Sequence, residues 1–92
     1  MSDEAQRTVV ICNKRGLHAR AAARFVKLAE TFSAEVTVTR RDQGVSGRSI
    51  MGLMMLAATP GSSIEIAAKG EDAALAVSAL SALVERRFDE DA

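Results

Sequence analysis

The chain has 92 residues, 48% hydrophobic and 26% charged, with 12 basic and 12 acidic side chains. That make-up describes one folded domain over residues 1–92, with an ordered core expected at about 5–88, and leaves little room for an enclosed substrate cavity. Zero net charge excludes a nucleic-acid binder that relies on bulk attraction, and three scattered Phe with no Trp or Tyr exclude a base-stacking platform.

The first stretch, MSDEAQRTVVICNKRG, starts acidic and holds only a short apolar run from Val9 to Cys12. It is neither a signal peptide nor a membrane span, so the chain is expected in the cytosol. RTVVIC is rich in β-branched residues and predicts a buried strand, which Asn13 to Gly16 breaks. Cys12, the sole cysteine, is expected to be a buried thiol in that strand; it can form no intramolecular disulfide and no cysteine-based metal site. From His18 to Phe32 the pattern is helical. Ala22, Phe25, Val26 and Ala29 recur at offsets of three and four, and Arg20, Arg24 and Lys27 fall on the other side.

AEVTVTR alternates and predicts a half-buried strand, with the turn RDQG at Arg41 to Gly44 and a short return strand through VSG. Ser49 then opens a helix of about two turns to Leu56, ended by Pro60 and Gly61. Ile50 and Leu53 can face the core, but Met51, Met54 and Met55 cannot all be buried on so short a helix. SSIEIAA predicts the last strand. A final helix follows Gly70, with Ala73, Val77, Leu80 and Val84 as its buried stripe, acidic residues in its first turn, and Arg86 and Arg87 in its last. The tail DEDA is expected to be a solvated end.

The element order is β-α-β-β-α-β-α. Amphipathic helices need a sheet to bury against, and alternating strands are polar on their second face. The economical architecture is therefore α+β, one antiparallel sheet with all helices on one side. Pattern alone leaves the strand order open, and the first six elements would equally suit a ferredoxin-like domain.

The one histidine stands in GLHAR, at the start of the first helix. A helix N-terminus has unpaired N–H groups and a partial positive charge, so it holds anions and favours the neutral imidazole, whose lone pair can attack phosphorus. Arg20 can offer a planar fork of donors to phosphoryl oxygens, and Gly16 can adopt the turn that exposes the ring. Position alone would equally allow a polar cap on a surface loop. A metal site is a poor reading, since one His without Cys or a second His is a weak ligand set.

GLHARAAARFV resembles the active-site segment of HPr, the phosphocarrier family of the bacterial phosphoenolpyruvate-dependent phosphotransferase system. RSIMGLMMLAA is similar to that family's second motif, and the PG turn, the IEI strand and the GEDAALAVSAL helix also fit. The resemblance implies an open-faced β-sandwich of four antiparallel strands, ordered 1-4-2-3, with three helices on one face. It implies a carrier that is a substrate of enzymes, not an enzyme, and that needs no cofactor. His18 would accept a phosphoryl group from Enzyme I and pass it to an Enzyme IIA-type protein, with Arg20 steadying the group. Gly16, Ala19 and Ala21 would form the supporting loop and helix start. Ala21 stands where the family usually has Pro, and is expected to adjust the loop's rigidity without abolishing transfer.

Ser49 is a natural N-cap. The resemblance adds possible phosphorylation by an HPr kinase/phosphorylase. Arg24, Lys27, Ile50, Met51, Met54 and Met55 form the expected partner face, an adaptable apolar patch edged by cations. A solvated basic stripe with methionine core filler is the plain alternative. The chain is expected to be a monomer with no nucleic-acid or membrane partner. The rival function is a regulatory docking domain on the same fold without transfer. The FDED end and LMML segment look more like the nitrogen-regulatory branch than the sugar-transport branch.

Overall fold

The computed structural model describes residues 3–91. Its elements follow the expected order: β1 (Glu4–Val10), α1 (Ala19–Ala29), β2 (Glu35–Arg40), β3 (Gln43–Ser46), α2 (Ile50–Met55), β4 (Ser63–Lys69) and α3 (Ala73–Glu85). One further element, a single 3-10 turn at Arg87–Asp89, closes the described chain.

The sheet is antiparallel throughout, in the order β1-β4-β2-β3. This is the order the family resemblance implies. The last strand therefore inserts between β1 and β2, pairing Val9 with Ile64 on one side and Val38 with Ile66 on the other. Ile64, Ile66 and Ala68 alternate as buried residues along β4, as do Val36 and Val38 along β2. Their neighbours Thr37 and Glu65 stay on the open side. A period of two puts one face of the sheet under the helices and the other against water. Phe25 of α1, Leu53 of α2, and Leu80 and Val84 of α3 complete the core, each with no exposed surface.

Several expectations are corrected. The first strand is a sheet edge, not a buried strand: Val9 is buried, but Val10 is exposed. Strand pairing ends at Val10, and the chain beyond it turns Ile11 inward and Cys12 outward. Cys12 is thus an exposed thiol, whose Sγ–H points at the Val84 carbonyl 3.5 Å away. The hairpin turn is tighter than RDQG, because β3 already begins at Gln43 and leaves only Arg41 and Asp42 between the strands, with Arg41 in the left-handed region at φ 57°.

Ile50 is exposed as well. A helix as short as α2 has one fully inward position, and Leu53 takes it. In α3 the acidic residues precede the helix. Asp72 sits at the N-cap but spends its carboxylate on the N–H groups of Ser33 and Ala34, at 2.9 and 2.8 Å. At the other end Arg86 is the C-cap and Arg87 lies in the turn beyond, so neither stands in the helix's last turn.

Candidate functional site

The loop between β1 and α1 is pinned to the loop between α2 and β4. Ile11 N–H donates to Ser62 O at 2.9 Å, Gly61 N–H to Ile11 O at 2.8 Å, and Leu17 N–H to Ala58 O at 2.9 Å. Gly16 is buried in this seam with φ +68°, and a β-carbon there would lie 2.5 Å from Ala58 O. Only glycine fits both the conformation and the space. The seam brings the residue after Gly-Leu to the start of α1. His18 is the N-cap residue, extended at φ −80° and ψ 179°, and its side chain makes no capping bond.

The first intrahelical bond is Ala22 N–H to His18 O at 2.8 Å. The N–H groups of Ala19, Arg20 and Ala21 precede it and have no partner within the helix. Ala19 and Arg20 are exposed, and Ala21 is fully buried under the loop. Among the described residues Arg20 has no ion-pair partner. With Lys14, Arg15 and Arg24 it lines a groove of about 300 Å³, whose acidic side is Asp89, Glu90 and Asp91.

The tail is where the structure departs furthest from the sequence reading. Asp89 and Asp91 are exposed as expected and Ala92 lies outside the described residues, but Glu90 is drawn inward. Glu90 Oε2 lies 2.6 Å from His18 Nε2, and only 20% and 12% of the two side chains is exposed. Asn13, completely buried, donates from Nδ2 to Glu90 Oε1 at 2.9 Å and to Gly16 O at 2.8 Å. Burial pushes the Glu90 carboxyl up, but the hydrogen bonds from Asn13 and His18 and the charges of His18 and Arg24 outweigh it. The carboxyl stays below its ordinary value.

A left-handed turn delivers Glu90. Arg87, Phe88 and Asp89 have φ of 61°, 55° and 61°, a conformation costing non-glycine residues roughly 1–2 kcal/mol each. Burial of Phe88, which has no exposed surface, offsets part of that cost; covering such a side chain is worth roughly 1.5–3 kcal/mol. Two further contacts hold the turn: Arg24 Nη1 donates to Phe88 O at 2.5 Å, and Arg86 Nε donates to Asp89 Oδ1 at 2.9 Å. The Arg86 hydrogen bond lowers the Asp89 carboxyl despite slight desolvation. Arg24 is therefore half-buried and clamps the tail, whereas Lys27 is exposed.

The second motif lies beside this site, because α2 packs on α1. Ser49 caps α2 as expected, its Oγ accepting from Gly52 N–H at 2.9 Å. Ile50, Met51, Met54 and Met55 are all exposed. Asn13 and Glu90 were not among the sequence candidates. The signal for Glu90 was Phe88, a lone large apolar residue four positions after Val84 in an otherwise charged stretch.

The phosphotransferase-system family model described as "PTS HPr component phosphorylation site" matches residues 5–86. The chain is 46% identical to the phosphocarrier protein NPr of Shewanella violacea, covering 92% of this chain and 93% of that protein. It is 48% identical to the phosphocarrier protein HPr of Neisseria meningitidis, over 92% and 96% of the two chains. Among solved structures, HPr-C-His from Thermoanaerobacter tengcongensis superposes with a TM-score of 0.91 at 40% identity, covering 96% of this chain and 99% of that one. The chain thus belongs to the HPr family of phosphocarrier proteins of the phosphotransferase system.

Proposed function

We propose that His18 is the phosphoryl acceptor, loaded by Enzyme I and discharged to an Enzyme IIA-type protein. The observation that carries this reading is the different engagement of the two ring nitrogens. Nε2 is bonded to Glu90, and among the described residues Nδ1 has no partner. A proton on Nε2 leaves the Nδ1 lone pair as the nucleophile.

In the loading step this lone pair attacks the phosphorus of a phosphohistidine on Enzyme I. The N–P bond to the donor ring breaks, the donor nitrogen keeps its electron pair, and a new N–P bond forms to Nδ1. His18 keeps its Nε2 proton, so the ring becomes cationic while Glu90 faces it with a carboxylate. The α1 N–H groups and Arg20 supply donors to the phosphoryl oxygens. Discharge runs the same displacement toward a histidine of the acceptor.

Shape fits a carrier better than an enzyme. The groove lined by Arg20 and Glu90 is open and small, so a donor's phosphohistidine or an acceptor's free histidine can approach where a small substrate would not be enclosed. Met51, Met54 and Met55 with Ile50 offer these partners one adaptable apolar face. Lys27 and Arg20 are its candidate cations. Phosphorylation of Ser49 by an HPr kinase would add about two negative charges at the edge of that face and weaken docking of acidic partners.

Intact-mass analysis after incubation with phosphoenolpyruvate and Enzyme I tests the reading. One acid-labile phosphate is expected on the wild type and none on His18→Ala. Persistence of the phosphate on the Ala variant, or its absence from the wild type, contradicts it and favours a docking domain without transfer.

A further inference from the structure

We infer that Glu90 is a positioning residue for phosphoryl transfer: held by Asn13, its carboxylate fixes the His18 ring in the Nε2–H tautomer and stabilises the cationic ring that forms when Nδ1 takes the phosphoryl group. The inference rests on the carrier reading above and extends it to two residues outside the family's two motifs.

The geometry is that of a largely covered carboxylate behind a nucleophilic imidazole. Glu90 Oε2 meets His18 Nε2 at 2.6 Å, the length of a strong, charge-assisted bond. Its other oxygen accepts from Asn13 Nδ2 at 2.9 Å. Asn13 cannot swing away, because the same Nδ2 also donates to Gly16 O within the loop that carries His18. One buried amide thus ties the loop and the tail together on the ring.

The tail is built to deliver this carboxylate. Phe88 is buried, and Arg24 and Arg86 fix the backbone and side chain of the left-handed turn just before Glu90. A tail lying on the surface by chance would need no such turn. An acid that accepts Nε2–H selects the tautomer with the lone pair on Nδ1, and the opposing charge favours the cation formed on phosphoryl uptake.

The test compares wild type, Glu90→Ala and Glu90→Gln, after circular dichroism has shown that each is folded. His18 is the only histidine in the chain, so histidine labelled with 15N gives one pair of ring signals. Spectra at about pH 9, well above the ordinary histidine range, report the tautomer, and phosphorylation by limiting Enzyme I reports the rate.

Wild type is expected in the Nε2–H form alone. Glu90→Ala is expected to show ring shifts averaged between two tautomers and a rate at least about fivefold lower. Glu90→Gln should fall between them, since its single amide oxygen cannot satisfy both donors. Asn13→Ala should move both readouts in the same direction. Unchanged shifts, an unchanged rate, or a change in one without the other in folded Glu90→Ala overturns the inference while leaving the carrier reading intact. A wild type that takes no phosphate overturns both.

Discussion

At His18 the fold gives the two ring nitrogens different neighbours, and the proposed chemistry follows from that asymmetry. Nε2 faces a carboxylate at 2.6 Å, whereas Nδ1 stays available at the open end of α1. The neighbouring Ala21, which stands where the family usually has Pro, is explained at the same scale. Its N–H precedes the first intrahelical bond, Ala22 to His18 at 2.8 Å, so proline at this position removes no hydrogen bond. Ala21→Pro is expected to change the rate of phosphorylation by Enzyme I less than tenfold in stopped-time assays; a larger change would show that alanine here is a functional choice.

Among the elements, the 3-10 turn at Arg87–Asp89 contributes most beyond its size. Its anchor is Phe88, packed with no exposed surface in the same core as Phe25 and Val84. Phe88→Ala is expected to cost about 3–5 kcal/mol of stability in urea unfolding and to release Glu90 from His18. The variant's tautomer spectrum should then match that of Glu90→Ala. Loss of stability with the wild-type tautomer retained would show that Glu90 holds its place without the turn.

The regular elements were legible in the sequence because their periods are strong. Ala22, Phe25, Val26 and Ala29 mark α1, and Ile64 and Ile66 mark β4. Ser49 was legible as a cap because its chemistry is local. Asn13 and Glu90 were not, since their bond spans 77 positions and requires a left-handed turn in three non-glycine residues that propensity disfavours. Cys12 was misplaced by one step of alternation at a strand end, where the period stops before the apolar run does.

On the scale of the whole molecule, helices and sheet are tied together by polar contacts that act across long stretches of chain. Asp72 at the start of α3 accepts from Ser33 and Ala34 in the segment between α1 and β2. The Ser33 N–H is the largest influence, and together with the Ala34 N–H it holds the carboxyl below its ordinary value. A carboxyl lowered by folding stabilises the native state at pH values above the unfolded-state value of about 3.9. That contribution is lost as pH falls through the folded-state value. Asp72→Asn should therefore lower Tm at pH 7, with a difference from wild type that shrinks below about pH 4. A pH-independent difference in melting curves would place the effect elsewhere. Glu90 carries the same sign, so acid should weaken the tail's hold on His18 in the same direction.

In the proposed transfer Nδ1 of His18 takes the phosphoryl group while Glu90 keeps Nε2. The most direct measurement is the 15N and 31P spectrum of the phosphorylated protein carrying 15N-labelled histidine. A single phosphate coupled to Nδ1, with the Nε2 signal still that of a protonated nitrogen, is the expected result. Phosphate coupled to Nε2, or found on a side chain other than His18, would contradict it.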